Sequence, residues 1–176
     1  MRLLRQTIFV VLLMTLGYTS WSQDSVRVWK VAVFAPVYLD SAYTQEGNYR
    51  LGNQILPRYM IPGLDFYNGM MLAIDSLNAE KAPIEVLFYD SKSMHGMTAN
   101  AVLDSSLLDV SLIIASFTNR NEIKPLADFA LEYEIPLLSA TYPNDAGLTE
   151  NPYFILINPT LRTHLEGIYS YLQRVY

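Results

Sequence analysis

The sequence contains no cysteine. Disulfides, thiolate metal sites and cysteine nucleophiles are therefore excluded together. Only two histidines occur, His95 and His164, and they stand far apart without the spacing of a metal-ligand motif. Basic residues are scarce as well: 12 lysines and arginines face 17 acidic residues, giving a net charge of −5 with no basic run. That balance argues against nucleic acid as a partner. Glycine is missing from Pro36 to Thr44, directly after the first apolar strand. A phosphate-cradling loop needs glycine there, so that backbone N–H groups can reach the phosphate. The apolar run Ile8 to Met14 is too short to be a comfortable membrane span.

What is present suffices for one packed domain: 176 residues, 51% of them hydrophobic. Arg2 and Arg5 precede the Ile8–Met14 run, and Ser20-Trp21-Ser22 supplies small residues around a cleavage point before Gln23. A basic start, a short apolar run and small residues make residues 1–22 a secretory signal peptide. Its removal takes away two arginines and no acidic residue, leaving 23–176 at net −7. No cysteine follows the run, so lipidation at such a residue is impossible. A cysteine-free exported protein needs no oxidative folding, which suits a bacterial envelope, periplasmic or secreted, at least as well as a eukaryotic secretory route. No stable span is expected after cleavage.

Val28 to Ala35 reads as the first strand, ended by Pro36, and its unbroken apolar character fits a sheet covered on both faces. A long connection from Val37 to Gly63 follows, of the kind that is functional or holds a small hairpin. Leu64, Tyr67, Met71, Ile74 and Leu77 form a helical stripe. Ile84 to Tyr89 is a second strand, ending in Asp90-Ser91-Lys92-Ser93, and Ala99, Val102, Leu103 and Leu107 mark a second helix. Leu112 to Ala115 is the third strand. The next helix carries Leu126, Phe129, Ala130 and Tyr133, and Pro125 sets its start near Asn121 to Lys124. Ile135 to Leu138 and Tyr153 to Ile157 give two more strands, and a last helix starts near Thr160. Strands alternating with helices predict an α/β fold: a doubly wound parallel five-stranded sheet of flavodoxin-like order, with helices on both faces.

In such a sheet ligands bind where loops leave the carboxyl ends of strands. Enzymatic readings fail there. Ser116 and Phe117 stand at the end of strand three, where a phosphoryl-accepting receiver would need an aspartate, and no histidine falls at a strand end to serve a nucleophile. Asp40, Asp90 and Asp145 follow strands, as caps commonly do. No catalysis and no cofactor are expected. Binding fits better. Ser116, Thr118, Ser139 and Thr141 are short neutral hydroxyls that donate and accept, on two adjacent strand ends. Free N–H groups at the start of the third helix would favour a ligand carboxylate, and loop carbonyls an ammonium. Phe117, Tyr142 and Tyr38 would wall the site. Against this stands the plainer role of such serines as caps and turns.

At these residues the sequence resembles the type I periplasmic binding proteins, the solute-binding components of ABC importers for leucine, isoleucine, valine and related solutes. The matching stretches run in order: VAVFAPVY (31–38), GLDFYNGMMLAIDSLN (63–78), IEVLFYDSKS (84–93), DVSLIIASFTNRN (109–121), IPLLSATYPNDAGLT (135–149) and NPYFILINPTLRTHLEGIYSYL (151–172). The resemblance implies that 23–176 is the N-terminal ligand-binding lobe of a two-lobed protein, with the chain crossing to a second lobe soon after the last helix. It implies Ser116 and Thr118 as contacts from the third loop. Ser139, Ala140 and Thr141 would serve the α-carboxylate and α-ammonium of an amino-acid-like ligand, and Tyr38 would stand at the mouth. Capture of a small solute in the envelope and delivery to an ABC permease is the function implied; a sensor or structural receptor built on the same lobe is the alternative. Three features depart from the family: Leu156 and its neighbours where arginine is common, Phe117 beside the loop serine, and a longer insertion over 40–62.

Overall fold

The computed structural model describes residues 27–52, 56–93, 101–102 and 104–176. The expected signal peptide, His95, Ala99 and Leu103 lie outside them. Five strands form one parallel sheet in the order β2-β1-β3-β4-β5: β1 Trp29–Ala35, β2 Ile84–Asp90, β3 Leu112–Ala115, β4 Leu137–Ser139 and β5 Phe154–Leu156. Among the described residues four α-helices accompany it: α1 Leu39–Ala42, α2 Ile61–Ala79, α3 Arg120–Glu132 and α4 Leu161–Val175. This is the expected α/β fold with a five-stranded parallel sheet, its order reversing between β1 and β3.

The register explains how the apolar strands divide. Val33 pairs with Phe88 and Phe34 with Tyr89, so alternate residues face opposite sides. One side holds the main core: Ala32, Phe34, Ile113, Ala115 and Leu137 pack with Ile123, Leu126, Phe129 and Ala130 of α3. Phe34 and Tyr89 stack there with centroids 4.7 Å apart. On the other side α2 meets the sheet through Tyr67 against Phe88, at 5.0 Å. Helix α2 can approach because Gly63 has no side chain: a Cβ there would stand 2.0 Å from the Pro36 carbonyl oxygen. Pro62 sits in its first turn, where a missing N–H costs nothing.

Boundaries differ from the sequence expectation at identifiable points. Helix α3 starts at Arg120, because Asn119 caps it by accepting from the Asn121 N–H at 3.0 Å. Pro125 lies inside the helix instead of near its start. Strand β4 begins at Leu137, not Ile135. The Ile135 N–H closes α3 onto the Ala130 carbonyl, and Pro136 has no N–H to give. Leu107, expected on a second helix, is buried in a 3₁₀ turn, Ser105–Asp109, capped by Asp104. The connection before α2 does contain a small hairpin. Tyr43 and Tyr49 form an antiparallel bridge, and the Thr44 N–H donates to Asn48. Helix α4 has no buried residue; its stripe of Leu161, Leu165, Ile168 and Leu172 is exposed. Among the described residues no helix is long and apolar enough to cross a membrane.

Candidate functional site

Ala115 and Ser139 are register partners, so β3 and β4 end side by side. Ser116 leaves the first strand where Thr141 rises from the second. Their hydroxyl oxygens stand 3.2 Å apart. The Thr141 hydroxyl also donates to the Phe117 carbonyl at 3.3 Å, which makes Ser116 the donor within the pair. Ser116 is buried and Thr141 exposed, so the pair reaches from the strand ends to solvent. Its partner is a threonine rather than a base, and nothing here activates Ser116 as a nucleophile.

Around this pair lies a polar line that the sequence did not single out. Glu122, in the first turn of α3, accepts the Thr118 N–H at 3.0 Å and the Thr118 hydroxyl at 2.7 Å. It also pairs with Lys92, which follows β2, and both side chains are mostly buried. Burial pushes the Glu122 carboxyl up, but Lys92 and the Thr118 donors outweigh it and hold the group below its ordinary value. Lys92 Nζ lies 5.7 Å from the Tyr38 ring centre, and Tyr38 meets Tyr59 edge-on at 4.8 Å. The ends of β1, β2 and β3 are thus joined through Tyr38, Lys92, Glu122 and Thr118. A usable signal was present: Lys92 is a basic residue in a strand-end run, and Glu122 follows the Asn119 cap by three positions.

Asp90 belongs to the scaffold of this edge. Its buried carboxylate accepts N–H groups from Val37 (3.0 Å), Tyr38 (3.1 Å), Leu39 (2.7 Å) and Lys92 (3.0 Å). Tyr38 is held there at φ +62°, a left-handed conformation. One carboxylate therefore fixes the turns after both β1 and β2.

Several residues assigned to a ligand from sequence are otherwise engaged. Phe117 is 5% exposed and belongs to the main core, and Tyr142 packs against that core. The Ala140 N–H donates to the Ala115 carbonyl, and the Ser139 carbonyl accepts from Ile157, so both serve the sheet. Ser139 Oγ is wholly buried without a partner, as is Ser91 Oγ after β2. The start of α3 does not await a ligand carboxylate. Asn119 and the Glu122 carboxylate already occupy that turn, placing the chain's own negative charge at the helix dipole's positive end.

The sequence matches no protein-family model and no curated protein. Among solved structures, its fold is similar to the crystal structure of a periplasmic binding protein from Burkholderia mallei, with a TM-score of 0.40 and 16% identity, covering 67% of this chain and 28% of that one. The chain thus spans under a third of that protein's length. The likeness is partial.

Proposed function

We propose that this chain captures a small, polar, amino-acid-like solute in the bacterial envelope, as the first lobe of a type I periplasmic binding protein, and presents it to an ABC importer. The observation that carries the reading is the convergence of Ser116 and Thr141 hydroxyls, 3.2 Å apart on neighbouring strand ends. Both oxygens keep acceptor capacity for an ammonium, and both O–H groups can rotate toward a carboxylate. Glu122 and Lys92 neutralise each other at the adjacent edge, so that edge sets no net charge against either end of a zwitterionic ligand.

Calorimetry of the purified protein against the twenty common L-amino acids tests this. At least one should bind, and Ser116→Ala with Thr141→Ala should weaken it by about 0.5–1.5 kcal/mol for each hydrogen bond lost, without unfolding the domain. Unchanged affinity in the double variant, or no binding by any amino acid, overturns the reading. Loss of an importer's uptake when the gene is deleted separates delivery from sensing.

A further inference from the structure

Residues 37–49 together with Leu56, Met60 and Leu64 border a cavity that the proposed function leaves unused. Its volume is about 410 Å³, within the range of about 300–1,000 Å³ typical of small-molecule sites. Val37, Ala42 and Met60 line its most buried part, each no more than 4% exposed. Leu39 adds aliphatic surface, and Tyr43 and Tyr49 stand at the open side. The two rings lie 5.5 Å apart, tilted by 59°, and their backbones are bridged, so the pair is set in place by the hairpin itself. Among the described residues, no charged side chain lines the cavity.

Connections between a strand and the next helix in α/β units usually need only about 2–6 residues. Here Leu39–Ala42 forms a helical turn and Tyr43 to Tyr49 a hairpin beside an apolar hollow. A charged ligand would lose its hydration there without finding a counter-charge. A flat ring would gain both aliphatic contact and the faces or edges of two tyrosines, whose hydroxyls remain able to hydrogen-bond at the rim.

We infer that this cavity is a second ligand site, for a neutral small molecule built on one or two aromatic or alicyclic rings. It shares no residue with the Ser116–Thr141 pair, so the two sites stand or fall separately.

The neutral fluorophore N-phenyl-1-naphthylamine, which brightens in apolar surroundings, is the probe. Titrated into the purified protein, it should brighten saturably. Tyr43→Ala with Tyr49→Ala, both exposed positions, should weaken binding about tenfold or more. The space-filling Ala42→Leu should do likewise, with circular dichroism confirming that each variant is folded. Ser116→Ala with Thr141→Ala should leave the titration unchanged, as should Leu165→Gln with Ile168→Gln on the exposed stripe of α4. Absence of brightening, brightening equal to wild type in the folded tyrosine variant, or its loss in the α4 variant overturns the inference.

Discussion

Glu122 shows how much a single side chain can organise at a strand edge. Its carboxylate gathers Lys92 from the turn after β2 and both donors of Thr118 from the turn after β3. Because these partners hold its carboxyl below the ordinary value of 4.5, the folded state binds its proton less readily than the unfolded state does. The sign follows directly. Stability from this group is complete above about pH 4.5 and is lost as pH falls through the lowered folded value. Glu122→Gln should therefore be less stable than wild type at neutral pH, with the gap in urea midpoints closing as pH falls below about 4.5 and through the lowered folded value. A gap that stays constant with pH would show that the carboxylate's charge is not what stabilises this edge. Ser116 and Thr141 could be picked from sequence because paired small hydroxyls after adjacent apolar runs are a visible pattern. The Lys92–Glu122 pair and the bonds from Val37, Tyr38 and Leu39 to Asp90 could not, because these partners stand 30 and 51 to 53 residues apart, and only the strand order brings them together. Phe117 shows the converse: an aromatic beside a polar loop reads as a pocket wall, and its side chain is buried with the core cluster.

At the level of elements, apolar runs and helical stripes were legible, and their ends were not. The ends depend on hydrogen bonds that no local pattern announces. Helices α2 and α3 both close with a residue in the left-handed conformation, yet these are Lys81 and Glu134 rather than the glycines that usually mark such ends. Gly63 is the element-level position with a firm structural reason. It lets the start of α2 touch the backbone at the end of β1, and any Cβ would meet the Pro36 carbonyl at 2.0 Å. The obstacle is main chain, which cannot swing aside as a side chain would. Gly63→Ala should therefore lower stability by about 1–3 kcal/mol, the usual cost of overpacking, despite alanine's better helix propensity. Urea denaturation measures this. Met60 and Leu64 flank Gly63 and line the β1–α2 cavity, so the same variant should also weaken N-phenyl-1-naphthylamine binding. A gain in stability would mean that α2 does not sit this close to β1.

At the scale of the whole molecule, burial is unevenly distributed, and that sets how the protein should move. Strand alternation was enough to anticipate a parallel sheet, since apolar strands separated by helical stripes admit few other arrangements. It did not reveal that one helix stands apart from the core. The main cluster couples β1, β3 and β4 to α3 on one side of the sheet, while α4 buries nothing: Leu161 is 68% exposed, Leu165 57% and Ile168 56%. Its local supports are small. Thr160 caps it, accepting the Thr163 N–H at 3.3 Å, and Arg162 pairs with Glu166 at 2.8 Å. An exposed i,i+4 pair contributes only about 0.3–0.5 kcal/mol, whereas Gly167 in the helix interior costs about 1 kcal/mol relative to alanine. A helix of 15 residues is marginal in water without tertiary packing. Amide exchange should therefore reach completion across α4 by local opening, at rates close to those of a free peptide. The amides of β1 and β3 should wait for global unfolding, slower by about the full stability of the domain. Hydrogen–deuterium exchange followed by peptide mass spectrometry separates the two classes. Protection of α4 matching that of β3 in dilute solution would mean that its leucine and isoleucine stripe is covered, and that this distribution of burial is not the one the protein adopts.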